Sequence, residues 1–298
     1  MKCRVGEKYI TNEGYNIEIV EYINSNNCTV QFKDGSRLYN RAFGDIKRGE
    51  VKNPNNKVGE KYKTLEGYTI EIIKVQGWGN CTILFDTGLI LYNKNYGAIK
   101  KGNVKNPFHP SVFGVGYLGN CPDIFPLNKN KNYTAWKHMI ERGYSSKKKL
   151  KTPSYKEVTV HKDWHCFSNF NDWCNVNRKF YTKDWHLDKD ILVKGNKIYS
   201  PETCCFVPDE INLLFVKNDI NRGELPIGVH KGRNKFKAVC STYNQVNRLG
   251  TFNTPLEAFQ AYKTFKESHI KKLANKWCGQ ITKRCYEALM NYKVEIED

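Results

Sequence analysis

The sequence contains no apolar run that approaches the roughly 20 residues a membrane-spanning helix needs, so we expect no membrane insertion. Its 11 cysteines include no CxxC pair and are odd in number, which argues against a complete disulfide framework. No secretory signal precedes the first folded-looking segment. We therefore expect reduced, mostly buried cysteines and a cytoplasmic protein.

Acidic residues are scarce relative to basic ones. The chain has 30 Asp plus Glu against 48 Lys plus Arg, a net charge of +18. Residues 1–107 contribute 17 − 11 = +6, and residues 108–298 contribute 31 − 19 = +12, so the excess is spread along the chain. This distribution favours a polyanionic partner over much of the surface.

A phosphate loop is also missing. The glycine-rich stretch FGVGYLGN, residues 113–120, is not followed by a GK[ST] signature. It lies within residues 108–130, which are rich in Pro, Gly and Asn and which we predict to be a linker.

The chain begins with a duplication. Residues 5–54 and 58–107 align without a gap at an offset of 58 − 5 = 53, with VGEKYITNEGYNIEI matching VGEKYKTLEGYTIEI. Short alternating segments separated by Gly and Asp-Gly turns predict a small β-barrel in 1–54 and another in 55–107. Their basic residues follow a phosphate backbone or form an ordinary solvated face, and a protein-docking role stays open as well.

Two helices are indicated in the middle of the chain. In YTAWKHMIERGY, which begins at Tyr133, the apolar residues recur at helical spacing. Further on, Trp164, Phe167, Phe170 and Trp173 recur every three residues and predict a second helix with an aromatic face. We interpret that face as buried core rather than as a surface for stacking bases.

A third helix has a well-marked start near the C-terminus. Thr254 can cap it, Pro255 occupies its first position, and Glu257 completes a capping box. Its apolar spacing continues toward Trp277, and a short further helix is predicted over Ile281–Tyr292.

Three strand-like segments precede that third helix. They are Ile227–Val229, Lys235–Thr242 and Asn247–Phe252. We predict a three-stranded sheet packed on the helix, in a domain spanning 226–298, and an α+β, multi-domain chain as a whole. The opposite face of the sheet is basic, a shape that fits a DNA major groove.

The strings GVHKGRNKFKA and LGTFNTPLEAFQAYK resemble the plant ethylene-response-factor type of DNA-binding domain and its phage relatives. In that family a three-stranded sheet enters the major groove. The resemblance implies that double-stranded DNA is the partner and that basic residues of the sheet bind it. These are Arg233, Lys235, Lys237 and Arg248.

The segment WHLDKDILVKGNKIYSPETCCFVPDEIN, residues 185–212, resembles the core of phage HNH (His-Me finger) endonucleases, taken together with the W-x-x-M-x-x-R-x-Y pattern before it. The resemblance implies a ββα core in residues 131–215, Mg²⁺-dependent DNA cleavage and a location in the cytoplasm of a host cell. Lys189 stands where the family has its catalytic histidine.

A shifted site can still supply the chemistry, which needs a metal ion and a neutral imidazole as base. His186 lies two residues before Asp188, and such positions share one face of a strand. If the chain cleaves DNA, we expect His186 to be the general base and Asp188 with Asp190 to bind Mg²⁺.

Three hypotheses therefore stay open. The protein is an active nuclease with this shifted site, or a catalytically degenerate core kept for DNA binding. In the third hypothesis it is a phage inhibitor of a host defence complex, such as an anti-CRISPR, with a host protein or ribonucleoprotein as partner.

Overall fold

The computed structural model describes residues 3–76, 79–120, 127–177, 185–215, 224–243, 245–296 and 298. Helices and several separate sheets alternate along the chain, so the predicted α+β class is confirmed. The chain divides into two compact units, residues 1–106 and residues 107–298.

In the first unit each repeat forms a four-stranded antiparallel sheet followed by a short helix. The first repeat contains β1 (Lys8–Ile10), β2 (Asn16–Asn24), β3 (Asn27–Phe32), β4 (Arg37–Arg41) and α1 (Phe43–Lys47). The second contains β5 (Lys61–Lys63), β6 (Thr69–Gln76), β7 (Asn80–Phe85), β8 (Ile90–Asn95) and α2 (Tyr96–Lys100). Among the described strands, the first and the fourth strand of each sheet do not pair with each other. The expected closure of each sheet into a barrel is therefore not seen there.

The two repeats bury the same positions. Each core contains seven buried apolar residues, and every one has its counterpart 53 residues away, as alternation along equivalent strands requires. The pairs are Ile17 and Ile70, Ile19 and Ile72, Cys28 and Cys81, Val30 and Ile83, Phe32 and Phe85, Ile46 and Ile99, and Val51 and Val104.

The second unit begins with a helical layer and two small sheets. It contains α3 (Lys131–Tyr144), α4 (Ser146–Lys151), β9 (Thr159–Val160), α5 (Phe167–Asn177), β10 (Trp185–Asp188), β11 (Ile198–Tyr199), β12 (Cys205–Pro208) and α6 (Asp209–Asn212). β9 and β11 pair in parallel, whereas β10 and β12 are antiparallel. The antiparallel pair of β10 and β12, followed by α6, forms a ββα arrangement, and β11, which lies between the two strands in the chain, pairs with β9 instead.

An aromatic core joins α3 to α5. Trp136, Trp164, Phe167 and Phe170 are all buried, and the indole Nε1 of Trp136 donates to the backbone oxygen of Trp164 at 2.7 Å. The expectation of an aromatic core is confirmed, but α5 begins at Phe167 and Trp164 lies in the 3-10 turn before it.

The C-terminal part contains β13 (Val229–Lys231), β14 (Phe236–Thr242), β15 (Gln245–Phe252), α7 (Pro255–Lys276) and α8 (Lys283–Met290). The strands form one antiparallel sheet in the order β13-β14-β15. The capping box predicted at the start of α7 is confirmed, because Thr254 and Glu257 each accept from the other's backbone N–H.

Segments expected to be separate share apolar cores. Val112, Val115 and Leu118, from the stretch predicted as a linker, pack on the aromatic core. Val207 and Ile211 of the ββα part lie in one buried cluster with residues of α7 and α8. Residues 107–298 therefore form one compact unit, which includes the stretch predicted as a linker.

Ten cysteines lie in the described residues and none of these ten forms a disulfide there; eight of them are buried, as predicted. None of the described helices combines the length and the apolar composition that crossing a membrane requires.

Candidate nucleic-acid interface

The three-stranded sheet has one covered face. Side chains alternate along a strand, so every second residue of β14 points toward α7. The buried residues that pack together are Val229, Ala238 and Cys240 of the sheet with Ala258, Phe259 and Tyr262 of α7. The other face of the sheet is left for solvent or a ligand.

Lys237 lies at the centre of that outer face. Its cross-strand neighbours are His230 on β13 and Thr251 on β15, and all three are exposed. Arg248 pairs with Val239 in the next row, where β15 carries a bulge, and it is exposed too. Residues opposite one another on neighbouring strands share a face, so Lys237 and Arg248 both point outward.

The remaining two predicted DNA-binding residues lie beside the strands rather than within them. Arg233 and Lys235 belong to the turn between β13 and β14, which is closed by a hydrogen bond from Gly232 N–H to Lys235 O at 2.8 Å. Both are exposed at the end of the outer face.

Acidic residues are absent from the sequence around these cations. The 32 residues between Glu224 and Glu257 include no Asp or Glu. In the described parts of the chain, no carboxylate lies within ion-pair distance of any of the four predicted residues. These four exposed cations have no described carboxylate partner. Together they form a positively charged surface suited to a polyanion.

A second feature of this unit is a cleft of about 440 Å³ beside β10. One wall is a single face of α3, formed by Lys131, Thr134, Ala135, His138 and Arg142. The opposite wall is formed by β10 and the residues after it, which include His186, Asp188, Lys189 and Asp190. All three residues of the predicted cleavage site therefore lie at one cleft.

Their individual contacts differ from those of a shared metal site. The Nε2 atom of His186 lies 3.1 Å from Oδ1 of Asp209. Oδ1 of Asp188 accepts the backbone N–H groups of Asp190 at 2.7 Å and Ile191 at 2.8 Å, which fixes the turn after β10. Burial raises the pKa of the Asp188 carboxyl, and the backbone donors partly oppose that rise.

Lys189 is the partner of one of the two predicted metal ligands, Asp190. It is buried, and its Nζ lies 2.6 Å from Oδ2 of Asp190 and donates to the backbone oxygen of Asn196 at 2.9 Å. Among the described residues, no group of three or more His, Cys, Asp and Glu is placed to hold a metal ion. As arranged here, Asp188 and Asp190 do not fit Mg²⁺, because one binds backbone and the other binds an ammonium group.

Sequence reasoning does not single out the α3 wall. Its signal is the spacing of Lys131, Thr134, His138 and Arg142, which places four polar side chains along one side of a helix. Only the position of β10 shows that these side chains face a cleft rather than open solvent.

Comparisons with protein-family models, with curated proteins and with solved structures find no match to this chain.

Proposed function

We propose that this chain binds double-stranded DNA through the outer face of the β13-β14-β15 sheet. The observation that carries the proposal is the pair Lys237 and Arg248. Both are exposed and without a described carboxylate partner, on a sheet whose other face is fixed to α7.

The dimensions of the sheet support this mode of binding. Neighbouring strands lie about 4.8 Å apart, so three strands span roughly 10 Å of backbone. The major groove of B-DNA is about 12 Å wide and admits an α-helix or a two-stranded β-ribbon, so the backbone width of this three-stranded sheet is comparable to that of the groove. Arg233 and Lys235, at the end of the sheet, are then placed for the phosphates that border the groove.

The test is the salt dependence of binding. Each phosphate that a protein neutralises contributes about 0.9 to the slope of log K against log salt. Fluorescence anisotropy with a labelled duplex should show that Lys237→Ala with Arg248→Ala reduces the slope by about two and weakens binding.

A matched control removes the same charge elsewhere. Lys137 on α3 and Lys272 on α7 are exposed, and the double variant Lys137→Ala with Lys272→Ala should leave the slope unchanged. If the two double variants have equal slopes, the sheet is not the interface. If the unmodified chain does not bind duplex at all, the host-protein or ribonucleoprotein partner becomes the prediction to pursue.

Phosphodiester cleavage is a second candidate, supported by the position of His186 at the cleft with its ring beside Asp209. A carboxylate that holds one imidazole nitrogen orients the ring for proton transfer at the other. The assay is nicking of supercoiled plasmid with Mg²⁺ or Mn²⁺ and an EDTA control. Binding without nicking would favour the degenerate core.

A further inference from the structure

One wall of the cleft beside β10 carries two full cations, Lys131 and Arg142, with His138 between them along α3. Lys131, His138 and Arg142 are separated by seven and four residues along α3, so they lie on one side of that helix, and all three line the cleft. Lys137, on another side of α3, does not line it.

Arg142 is the innermost cation of this wall. It is partly buried, its Nη1 donates to the hydroxyl of Tyr199 at 3.1 Å, and its guanidinium lies 5.7 Å from the ring centroid of Tyr155. No carboxylate of the described residues lies within ion-pair distance of it. A guanidinium has five N–H donors, so the bond to Tyr199 leaves donors for two oxygens of an anion such as a phosphate group.

The acidic side chains across the cleft have their own partners. Asp190 is paired with Lys189 at 2.6 Å, and one oxygen of Asp188 accepts two backbone N–H groups. Burial disfavours the charge on Asp188 and raises its pKa. Lys189 therefore offsets Asp190, and Arg142 has neither of these carboxylates within ion-pair distance.

His138 lies near several cations of this part of the chain. Its pKa is lowered by partial burial and by the neighbouring Arg142, Lys137 and Lys148. A bound anion would offset this repulsion.

We propose that the cleft binds a phosphate group, with Arg142 as the anchor and with His138 and Lys131 beside it at the α3 wall. The phosphate belongs either to the backbone of a nucleic acid or to a free mononucleotide. The site is separate from the sheet, so it stands or falls independently of the proposed function.

The test uses the full chain carrying Lys237→Ala and Arg248→Ala, which removes the sheet contribution. Isothermal titration calorimetry with inorganic phosphate and with thymidine 5′-monophosphate measures free phosphate binding, and anisotropy with a labelled duplex measures backbone binding. In this background we expect Arg142→Gln to lower the affinity for the tightest-binding of these ligands at least tenfold. His138→Ala should lower it about threefold, and Lys137→Ala should leave it unchanged.

The fold of each variant is checked by circular dichroism and by its melting temperature. If Arg142→Gln does not fold, His138→Ala against Lys137→Ala decides, because both side chains are exposed. Binding of inorganic phosphate or of the mononucleotide identifies a free phosphorylated ligand, and binding of duplex alone identifies a nucleic-acid backbone. The proposal is wrong if His138→Ala and folded Arg142→Gln bind every probe as the background protein does, or if no probe binds.

Discussion

The imidazole of His186 and the carboxylate of Asp209 lie 3.1 Å apart, Nε2 to Oδ1. The contact joins β10 to the first residue of α6, across two strands that pair antiparallel. A histidine held in this way at the edge of a cleft has a fixed ring orientation, and this relationship leads to the first prediction.

If the chain nicks supercoiled plasmid in the presence of Mg²⁺ or Mn²⁺, His186→Ala should reduce the nicking rate about 100-fold or more, as for removal of a general base. Asp209→Asn keeps a hydrogen-bonding oxygen and should cause a smaller loss. Duplex affinity should be the same in both variants. Nicking at the normal rate in His186→Ala would show that this imidazole takes no part in cleavage.

Two variants of Asp188 distinguish a structural role of this side chain from a role in metal binding. Asp188→Ala removes the acceptor for two backbone N–H groups and should lower the free energy of unfolding by about 1 kcal/mol. Asp188→Asn keeps a carbonyl oxygen at that position and should restore most of this stability in urea unfolding. If Asp188→Asn is stable and nicks DNA normally, Asp188 does not bind a catalytic metal.

Lys266 is a buried lysine on α7, and burial lowers its pKa below the ordinary 10.5. The unfolded chain then binds more protons than the folded one between the lowered pKa and 10.5, so stability rises with pH across that window. Lys266→Met should remove this rise and stabilise the protein near pH 7 by about 1 kcal/mol. Thermal melts at pH 7 to 10 measure it, with exposed Lys272→Met as the control. A pH profile identical to that of the unmodified chain would contradict the prediction.

Thr254→Ala should lower the free energy of unfolding by about 1 kcal/mol, because its hydroxyl accepts the Glu257 N–H at the start of α7. Thr254→Ser retains the cap and serves as the control. An equal loss in both variants would mean that the side chain acts by packing rather than by capping.

Gly102 closes the second repeat in a conformation that other residues rarely adopt. Its φ is +69°, and a Cβ there would lie 2.7 Å from the backbone oxygen of Lys63. Gly102→Ala should therefore destabilise more than Gly35→Ala, where φ is +82° but no atom lies within 4 Å. The strain alone costs about 1 kcal/mol, and the clash adds to it in Gly102→Ala. Equal melting temperatures would show that the backbone moves aside.

Local signals in the sequence predicted much of the fold. Thr254 and Pro255 mark a helix start through short-range hydrogen bonding and a fixed φ, so α7 was placed correctly. The 53-residue offset predicts equivalent cores in the two repeats, because the same alternation of apolar residues buries the same positions in each.

What the sequence did not predict depends on distant contacts. Nothing near Val112 or Leu118 shows that they pack on the aromatic core, because their partners are far along the chain. The pairing of Lys189 with Asp190 and the turn held by Asp188 likewise become visible only when β10 and its following loop are in place. The polar spacing that includes Arg142 is present in the sequence of α3. The sequence does not show that β10 forms a wall opposite it.

The helix α7 belongs to two cores at once. Its first half supports the sheet, and its second half, including Ile270 and Leu273, fills the cluster beneath β12 and α6. One rod of 22 residues, about 33 Å long, therefore sets the spacing between the sheet and the cleft. If the sheet binds a duplex, a phosphate that the cleft binds or cleaves should therefore lie at a constant number of base pairs from the sequence that the sheet contacts.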